Sequence, residues 1–243
     1  QAEAPPDAPA RLLTHATTPA TAMSGAVPEP RGAKEELTGT IRLGSTDGCA
    51  SYLLPRVTQR IREANPGLDL QVVVLPRFFN LSKREADMAI GVSRPSAGRL
   101  TVQKVSDYRL LLAASRDYIQ RHGPIGSRED LPRHPVIGYI PDMIFDSELD
   151  SLSEFGLQSV AFASNLVAVQ LGWLRAAAGI GVIHDFILPD TPDLVTLFPQ
   201  SLFLTRSFWL IRHSDDARVP RLNRFARALT DELRAEIASR TRS

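Results

Sequence analysis

The chain has 243 residues, of which 43% are hydrophobic and 23% are charged. These fractions are ordinary for a globular protein, so enough apolar residues are present for a sizeable core. The length suits one large domain or two smaller ones. Its 28 basic and 27 acidic residues leave a net charge of +1. A domain that binds nucleic acid by itself usually carries a basic excess, so the charge balance argues against that class.

Redox and targeting features are few. The single cysteine, Cys49, excludes an intrachain disulfide and indicates a reducing compartment. No apolar run approaches the ~20 residues of a membrane span, and the first residues lack the basic and apolar regions of a signal peptide. We therefore expect a cytoplasmic protein, or a cytoplasmic fragment of one, with no membrane partner.

Residues 1–37 differ in composition from everything after them. They are rich in Ala, Pro and Thr, and their prolines exclude one continuous helix, because each proline removes an amide donor and clashes with the preceding turn. One interpretation is a partly disordered leader. The other takes residues 11–16 as the remnant of a helix that joined an upstream domain.

The next part of the chain alternates strands and helices. The predicted elements are a strand at 40–43, a helix at 51–64, a strand at 68–75, a short charged helix at 81–85 and a strand at 88–90. Residues 65–67, Asn-Pro-Gly, end the first helix. This order predicts an α/β fold with a parallel sheet and helices on its faces.

A second α/β unit of similar size follows. Two extended segments, 100–105 and 108–114, precede short helices that begin at Ser115 and Ser127. The remaining predicted elements are strands at 135–139, 160–163, 182–183, 194–198 and 207–212, and helices at 164–178 and 219–237. The acidic residues 142–154 are expected to form a solvated surface.

Candidate ligand-binding residues follow three consecutive strands at their carboxyl ends, where ligands bind in open α/β sheets. These residues are Ser45, Thr46 and Asp47, then Arg77 and Phe78, then Ser93 and Arg94. Their convergence predicts one cleft for a small molecule.

The residues after the first two strands suit an anionic or aromatic ligand. Ser45 and Thr46 supply hydroxyls beside the unpaired amides of a helix N-terminus, although an ordinary helix cap explains them equally well. Asp47 would repel a carboxylate, so either it points away or the ligand carries a donor or a positive charge. The Arg77 guanidinium can pair with a carboxylate through two hydrogen bonds, and Phe78 can pack on an apolar or aromatic body. The alternative for Arg77 is a surface charge.

The second unit offers further candidates. Ser164 and Asn165 begin its long predicted helix, and Tyr139 and Asp142 follow another strand. His184 lies where it can reach the cleft, although a lone histidine is more often structural. Cys49, without a resolving cysteine, is better explained as a small buried residue than as a redox sensor. No nucleophile elbow, metal-ligand spacing or phosphate-binding loop is present, so we expect neither an enzyme nor a cofactor or metal.

Five segments in the same order resemble the effector-binding domain of LysR-type transcriptional regulators. The segments are 37–44, 52–66, 81–90, 108–118 and 164–186. The run 81–90, Leu-Ser-Lys-Arg-Glu-Ala-Asp-Met-Ala-Ile, is the most specific of them. The resemblance covers about residues 37–238.

The resemblance implies a periplasmic-binding-protein type II-like fold, with two Rossmann-like subdomains joined by two crossover strands. Residues 38–113 and 214–238 would form subdomain I and residues 114–213 subdomain II, after the leader at 1–37. It further implies a small organic effector, a carboxylate or an aromatic compound, in the cleft between the subdomains. Self-association into a homodimer or homotetramer is implied as well, side by side through a helix and a strand of opposite subdomains.

In this family DNA is bound by a winged helix-turn-helix domain, for which this chain has no room. We therefore expect DNA contact only through a missing N-terminal domain and interpret the chain as the effector-sensing and oligomerisation domain of a regulator. The alternative is a freestanding solute-binding receptor of the same fold.

Overall fold

The computed structural model describes residues 37–74, 77, 81, 85–96 and 98–241. The predicted leader with its helix remnant, and most of the predicted 81–85 helix, lie outside these residues. The strands are β1 (Gly39–Ser45), β2 (Leu68–Val74), β3 (Met88–Gly91), β4 (Leu100–Ser115), β5 (Val136–Gly138), β6 (Phe162–Ala163), β7 (Ile180–His184), β8 (Leu194–Leu197) and β9 (Phe203–His213). The α-helices are α1 (Asp47–Tyr52), α2 (Leu54–Ala64), α3 (Arg116–His122), α4 (Ser151–Glu154), α5 (Val167–Arg175) and α6 (Pro220–Thr241).

The strands form one sheet in the order β2-β1-β3-β9-β4-β7-β5-β6, with β8 also paired to β4. β1 runs parallel to β2 and β3, and β5 runs parallel to β6 and β7. The antiparallel pair β4 and β9 lies between these two parallel groups. The predicted α/β architecture, with two strands crossing between two parallel units, is confirmed.

β4 is one strand of 16 residues where two separate segments were predicted. It pairs with β9 along residues 100–111 and with β7 and β8 along residues 110–115. The register shifts between Lys104 and Ser106, at the gap between the two predicted segments. The prediction of two strands was wrong, because a bulge bends a strand without ending it.

Two predicted helices are shorter than their sequence pattern. The first is divided into α1 and α2 at Leu53, because Pro55 has no amide to continue the hydrogen-bond ladder. α5 begins at Val167 and not at Ser164, whose hydroxyl accepts the amide of Leu166 at 3.1 Å and forms a turn instead.

The core lies between the sheet and the helices that cover it. α2 buries Leu54, Val57 and Ile61 at helical spacing, and α6 packs against it with its own buried row, Leu222, Phe225, Leu229 and Leu233. Burying such side chains stabilises the fold by roughly 1.5–3 kcal/mol each. The chain therefore returns at its C-terminal helix to the first group of strands.

None of the helices in the described part of the chain has the length and apolar character that a membrane crossing requires.

An ion-pair network ties α6 to α2. The Glu236 carboxylate, 5% exposed, accepts from Arg240 at 2.7 Å and from Arg60 at 2.9 Å. Burial alone would raise the pKa of this carboxyl, but the hydrogen bonds from the two guanidinium groups outweigh it and lower the pKa below its usual 4.5. Charges buried to this degree remain ionised only when they are paired.

Glu236→Gln is expected to destabilise the protein at neutral pH by about 1–3 kcal/mol, because it removes the buried anion that Arg60 and Arg240 share and leaves the buried Arg240 paired only with the exposed Asp190. Since the folded-state pKa of Glu236 is lowered, its contribution is complete above pH 4.5 and is lost as the pH falls through the folded value. Chemical denaturation at a series of pH values should show the difference between wild type and variant shrinking below pH 4.5. In Glu232→Gln, whose side chain is 36% exposed, the change should stay below about 1 kcal/mol.

Two glycines give opposite expectations on substitution by alanine. A Cβ on Gly179 would overlap the carbonyl oxygen of Pro135, which is held in place by the amide of Ile180 at 2.9 Å. Gly179→Ala should therefore lower stability by about 1–3 kcal/mol or more. Gly172 lies in α5 with no atom within 4 Å of its Cβ position, so Gly172→Ala should raise stability by about 0.5–1 kcal/mol. Thermal unfolding of both variants measures the sign of each change in stability. Equal changes in the two variants would contradict the packing described for these glycines.

Candidate functional site

A cavity of about 430 Å³ lies at the carboxyl ends of β1 and β3. It is lined by Ser45, Thr46, Arg77, Leu81, residues 89–96, Leu100, Phe145, Asp146 and Ile211. Five of the predicted site residues meet here: Ser45, Thr46, Arg77, Ser93 and Arg94. We refer to it as the smaller cavity.

Ser45 and Thr46 bring hydroxyl groups to the smaller cavity from the end of β1. Ser45 is fully buried, and its hydroxyl donates to the carbonyl of Thr46 at 3.2 Å. Thr46 precedes α1, but its side chain makes no capping hydrogen bond to that helix. Since α1 has only six residues and the Ser45 hydroxyl already donates to Thr46, the Thr46 hydroxyl is what this edge offers to a ligand.

The two arginines of the smaller cavity differ in their surroundings. The Arg77 guanidinium forms two hydrogen bonds to Glu85, at 2.8 and 3.0 Å, so the predicted bidentate pairing is made within the protein. Arg94 is exposed where the chain leaves β3. Phe78 lies outside the described residues.

Asp146 connects the two halves of the fold, the one with parallel strands β1, β2 and β3 and the one with parallel strands β5, β6 and β7, at the wall of this cavity. Its carboxylate, on a residue only 6% exposed, accepts from the Ser93 hydroxyl at 2.6 Å and from the amide of Glu148 at 3.1 Å. Ser93 follows β3 of the first strand group, whereas Asp146 belongs to the segment after β5. Sequence reasoning missed Asp146, since it lies in a polar stretch with no periodic pattern.

A second cavity, of about 850 Å³, lies beside the first and shares Phe145 and Asp146 with it. Its other lining residues include Tyr108 and Leu110 of β4, Tyr139, residues 147–154, Gln170 of α5 and Val182 and His184 of β7. Tyr139 was predicted as a site residue because it follows a strand, and His184 because its position could reach the cleft. We refer to it as the larger cavity.

His184 is packed among aromatic rings. It stacks on Tyr108 with ring centroids 5.6 Å apart and lies 5.0 Å from Phe186. Burial lowers the pKa of His184 to about 4, so its imidazole is neutral at neutral pH. Its Nδ1 has no hydrogen-bond partner among the described residues. The structural and the ligand-binding interpretations of this histidine are therefore both compatible with its position.

The acidic segment 142–154 is only partly the solvated surface that its composition predicted: Asp142, Asp150 and Glu154 are exposed, but Asp146 is buried. Arg206 of β9, 9% exposed, pairs with Glu148 at 2.8 Å and also with Glu154. Together with Asp146 these contacts hold the segment against the sheet, where it forms a wall of the larger cavity. The signal was the alternation in β9, which puts Arg206 on the same face as the buried Phe208 and Leu210.

Asp47 points away from both cavities into a contact between the halves. Its carboxylate accepts the amide of Val167, the first residue of α5, at 2.5 Å, and the hydroxyl of Ser51 at 3.1 Å. It thus satisfies one of the unpaired amides at the start of α5. This position agrees with the expectation that Asp47 would not face a carboxylate.

Three other predicted site residues line neither cavity. Asp142 is exposed in a short 3-10 helix, Ser164 is buried in the turn before α5, and Asn165 is half-buried beside it. Among the described residues no group of three or more His, Cys, Asp or Glu is placed to hold a metal ion.

Cys49 is fully buried, as its interpretation as a small packed residue required. Burial raises the pKa of its thiol to about 12, against a smaller lowering by a hydrogen bond with Ser45. Since the thiolate is the reactive form, a thiol in this environment is unsuited to redox sensing.

The sequence matches the family model of the LysR substrate-binding domain over residues 34–234. A similar protein is the HTH-type transcriptional regulator CrgA of Neisseria meningitidis serogroup C, 24% identical over 217 residues that cover 87% of this chain and 73% of that protein. The Mau operon transcriptional activator of Paracoccus denitrificans is 26% identical over 175 residues, 70% of this chain and 56% of that protein.

Solved structures show the same fold. The CrgA regulatory domain of Neisseria meningitidis superposes with a TM-score of 0.72 at 23% identity, covering 81% of this chain and 99% of that one. A single-residue variant of the OxyR2 regulatory domain of Vibrio vulnificus superposes with a TM-score of 0.66 at 18% identity, covering 81% and 96%. The fold is therefore the periplasmic-binding-protein type II-like fold of these domains. With a family match over most of its length, the chain belongs to the LysR substrate-binding domain family, the effector-binding regulatory domain of LysR-type transcriptional regulators.

Proposed function

We propose that this chain senses a small organic effector, bound in the smaller cavity, on behalf of a LysR-type transcriptional regulator. The observation that carries this proposal is the meeting of Ser45, Thr46, Ser93 and Arg94 at one cavity. They come from the ends of neighbouring parallel strands, β1 and β3, which is where ligands bind in folds of this kind. Members of this family are transcriptional regulators. Their role supports sensing, and not catalysis or transport, as the function of this site.

The lining of the smaller cavity suits a carboxylate on an apolar or aromatic body. The hydroxyl of Thr46 can donate to the carboxylate, and Arg94 supplies positive charge beside it. The remaining wall is largely apolar and includes Ile90, Leu100, Phe145 and Ile211. A few polar groups on an apolar wall are typical of small-molecule sites.

An effector in this cavity would act on the contacts between the two halves of the fold. One such contact, Ser93 to Asp146, forms part of the cavity wall, and a second, Asp47 to Val167, lies directly after Thr46. A ligand that binds one arrangement of the halves more tightly shifts the population toward it. We propose that this shift changes the spacing of DNA-binding domains carried by the whole regulator, so that DNA is contacted outside the chain described here.

A thermal-shift screen with aromatic and aliphatic carboxylates, benzoate among them, tests the site. A ligand at a hundred times its Kd should stabilise the protein by about 2.7 kcal/mol, a rise in Tm of roughly 5–10 °C for a domain of this size. Thr46→Val and Arg94→Ala should each weaken the binding of a hit about tenfold or more, because a hydrogen bond to a charged group contributes about 1.5–3 kcal/mol.

Arg99→Ala is the matched control, since Arg99 is an exposed arginine five positions after Arg94 and does not line the cavity. The affinity of Arg99→Ala for a carboxylate found in the screen should equal that of the wild type. A carboxylate hit whose affinity is unchanged in Thr46→Val and Arg94→Ala would overturn this assignment of the site.

We also propose that two copies of the chain associate side by side. β2 and β6 are the two ends of the sheet, and each has exposed apolar side chains nearby. Val72 and Val74 of β2 are 43% and 39% exposed, and Leu166 and Val169 around the start of α5 are 42% and 37% exposed. In a side-by-side pair of antiparallel copies, the β2 surface of one copy would pack on the α5 surface of its partner. The α5 surface of the first copy would pack on the β2 surface of the partner, as a two-fold symmetric dimer requires.

Sedimentation equilibrium at micromolar concentration should give the mass of a dimer or tetramer for the wild type. The double variant Val72→Glu, Leu166→Glu should sediment as a monomer, because it places charges in both apolar surfaces. Val219→Glu, at a similarly exposed valine (38%) before α6, should keep the wild-type mass. A monomeric wild type, or a double variant that still associates, would contradict this interface.

A further inference from the structure

The larger cavity carries charge of one sign. Four carboxylate residues line it, Asp146, Glu148, Asp150 and Glu154, and no Lys or Arg is among its lining residues. Arg206 approaches from β9 and pairs with both Glu148 and Glu154, so these two carboxylates share one positive charge. Asp146 and Asp150 have no ion pair among the described residues, and the cavity therefore keeps a net negative charge.

Asp146 is the unusual member of this set, because it is buried without a cationic partner. It is 6% exposed, and its two oxygens accept from neutral donors, the Ser93 hydroxyl and the Glu148 amide. No ion pair to Asp146 is present among the described residues. Buried carboxylates are normally paired with a positive charge, since desolvation of an unpaired one is costly.

The cavity walls beside Asp146 are aromatic. Tyr108, Tyr139, Phe145 and His184 all line the cavity. Ring faces of tyrosine and phenylalanine attract cations, and the attraction grows when the pair is shielded from water. Because burial lowers the pKa of His184 to about 4, this imidazole adds no positive charge that would repel a cation.

From this combination of a buried carboxylate and aromatic walls, we infer that the larger cavity is a separate binding site for an organic cation, a small protonated amine with an apolar or aromatic body. The ammonium group would lie against Asp146 and supply its missing counter-charge, and the body would occupy the space between Tyr139, Phe145 and Leu110. Because Asp146 is also bonded to Ser93 of the smaller cavity, occupation of the larger cavity would change the wall that the two cavities share.

Isothermal titration with 2-phenylethylamine, and with its neutral analogue 2-phenylethanol, tests the inference at neutral pH. The amine should bind and the alcohol should bind at least tenfold more weakly, since only the amine offers a positive charge. Asp146→Asn, which preserves the shape and an acceptor for Ser93, should weaken the amine at least tenfold and leave the alcohol unchanged. Asp142→Asn removes an exposed carboxylate of the same segment that does not line the cavity, and should leave both affinities unchanged.

Two further variants distinguish binding in the larger cavity from binding in the smaller one. They also keep the inference testable if Asp146→Asn does not fold. Tyr139→Leu alters the larger cavity alone and should weaken the amine several-fold. Arg94→Ala alters the smaller cavity alone and should leave amine binding unchanged while weakening a carboxylate hit. Equal binding of amine and alcohol, no binding of the amine at millimolar concentration, or amine binding that is insensitive to Tyr139→Leu would overturn the inference, whatever the outcome for carboxylates.

Discussion

The antiparallel pairing of β4 with β9 holds the two groups of parallel strands in one sheet. Along residues 100–111 of β4 these strands satisfy each other's backbone groups, and β3 and β7 complete the pairing on their outer sides. In the middle of the pair Tyr108 lies opposite Arg206. One of these residues lines the larger cavity and the other anchors a wall of it, so the connection between the halves also builds the site.

The segment after β5 acts as a common wall for two cavities of different character. The smaller cavity presents hydroxyls and Arg94, whereas the larger presents carboxylates and aromatic rings. Asp146 belongs to both and is hydrogen-bonded to the first strand group through Ser93. A ligand in either proposed site would lie against the same buried carboxylate, and any coupling between the two ligands would be equal in both directions.

Membership of the family accounts for the scaffold and leaves the ligand to be decided by particular side chains. Relatives at 23–24% identity share the architecture, but one fold serves many ligands because specificity resides in the residues of the site. In this chain Arg77 is engaged by Glu85 and Asp47 by the start of α5, so two residues that strand-end reasoning offered to a ligand serve the protein itself. Both contacts form only when the chain folds. The position of a residue at a strand end therefore does not show whether its partner is a ligand or another part of the protein.

Hydrophobic periodicity is a local property of the sequence, and it was enough to predict the alternation of strands and helices. The binding of ligands at the carboxyl ends of strands predicted the meeting of residues after β1 and β3. The two crossing strands were implied by the resemblance to the LysR family. The burial of Cys49 was predicted because the sequence has no resolving cysteine for it. The continuity of β4, the burial of Asp146, the partners of Arg206 and the two adjoining cavities emerged only from the folded chain. These features depend on residues far apart in the sequence, such as Ser93 with Asp146 and Glu154 with Arg206. A charged residue in a polar stretch carries no local sign of the partner that buries it.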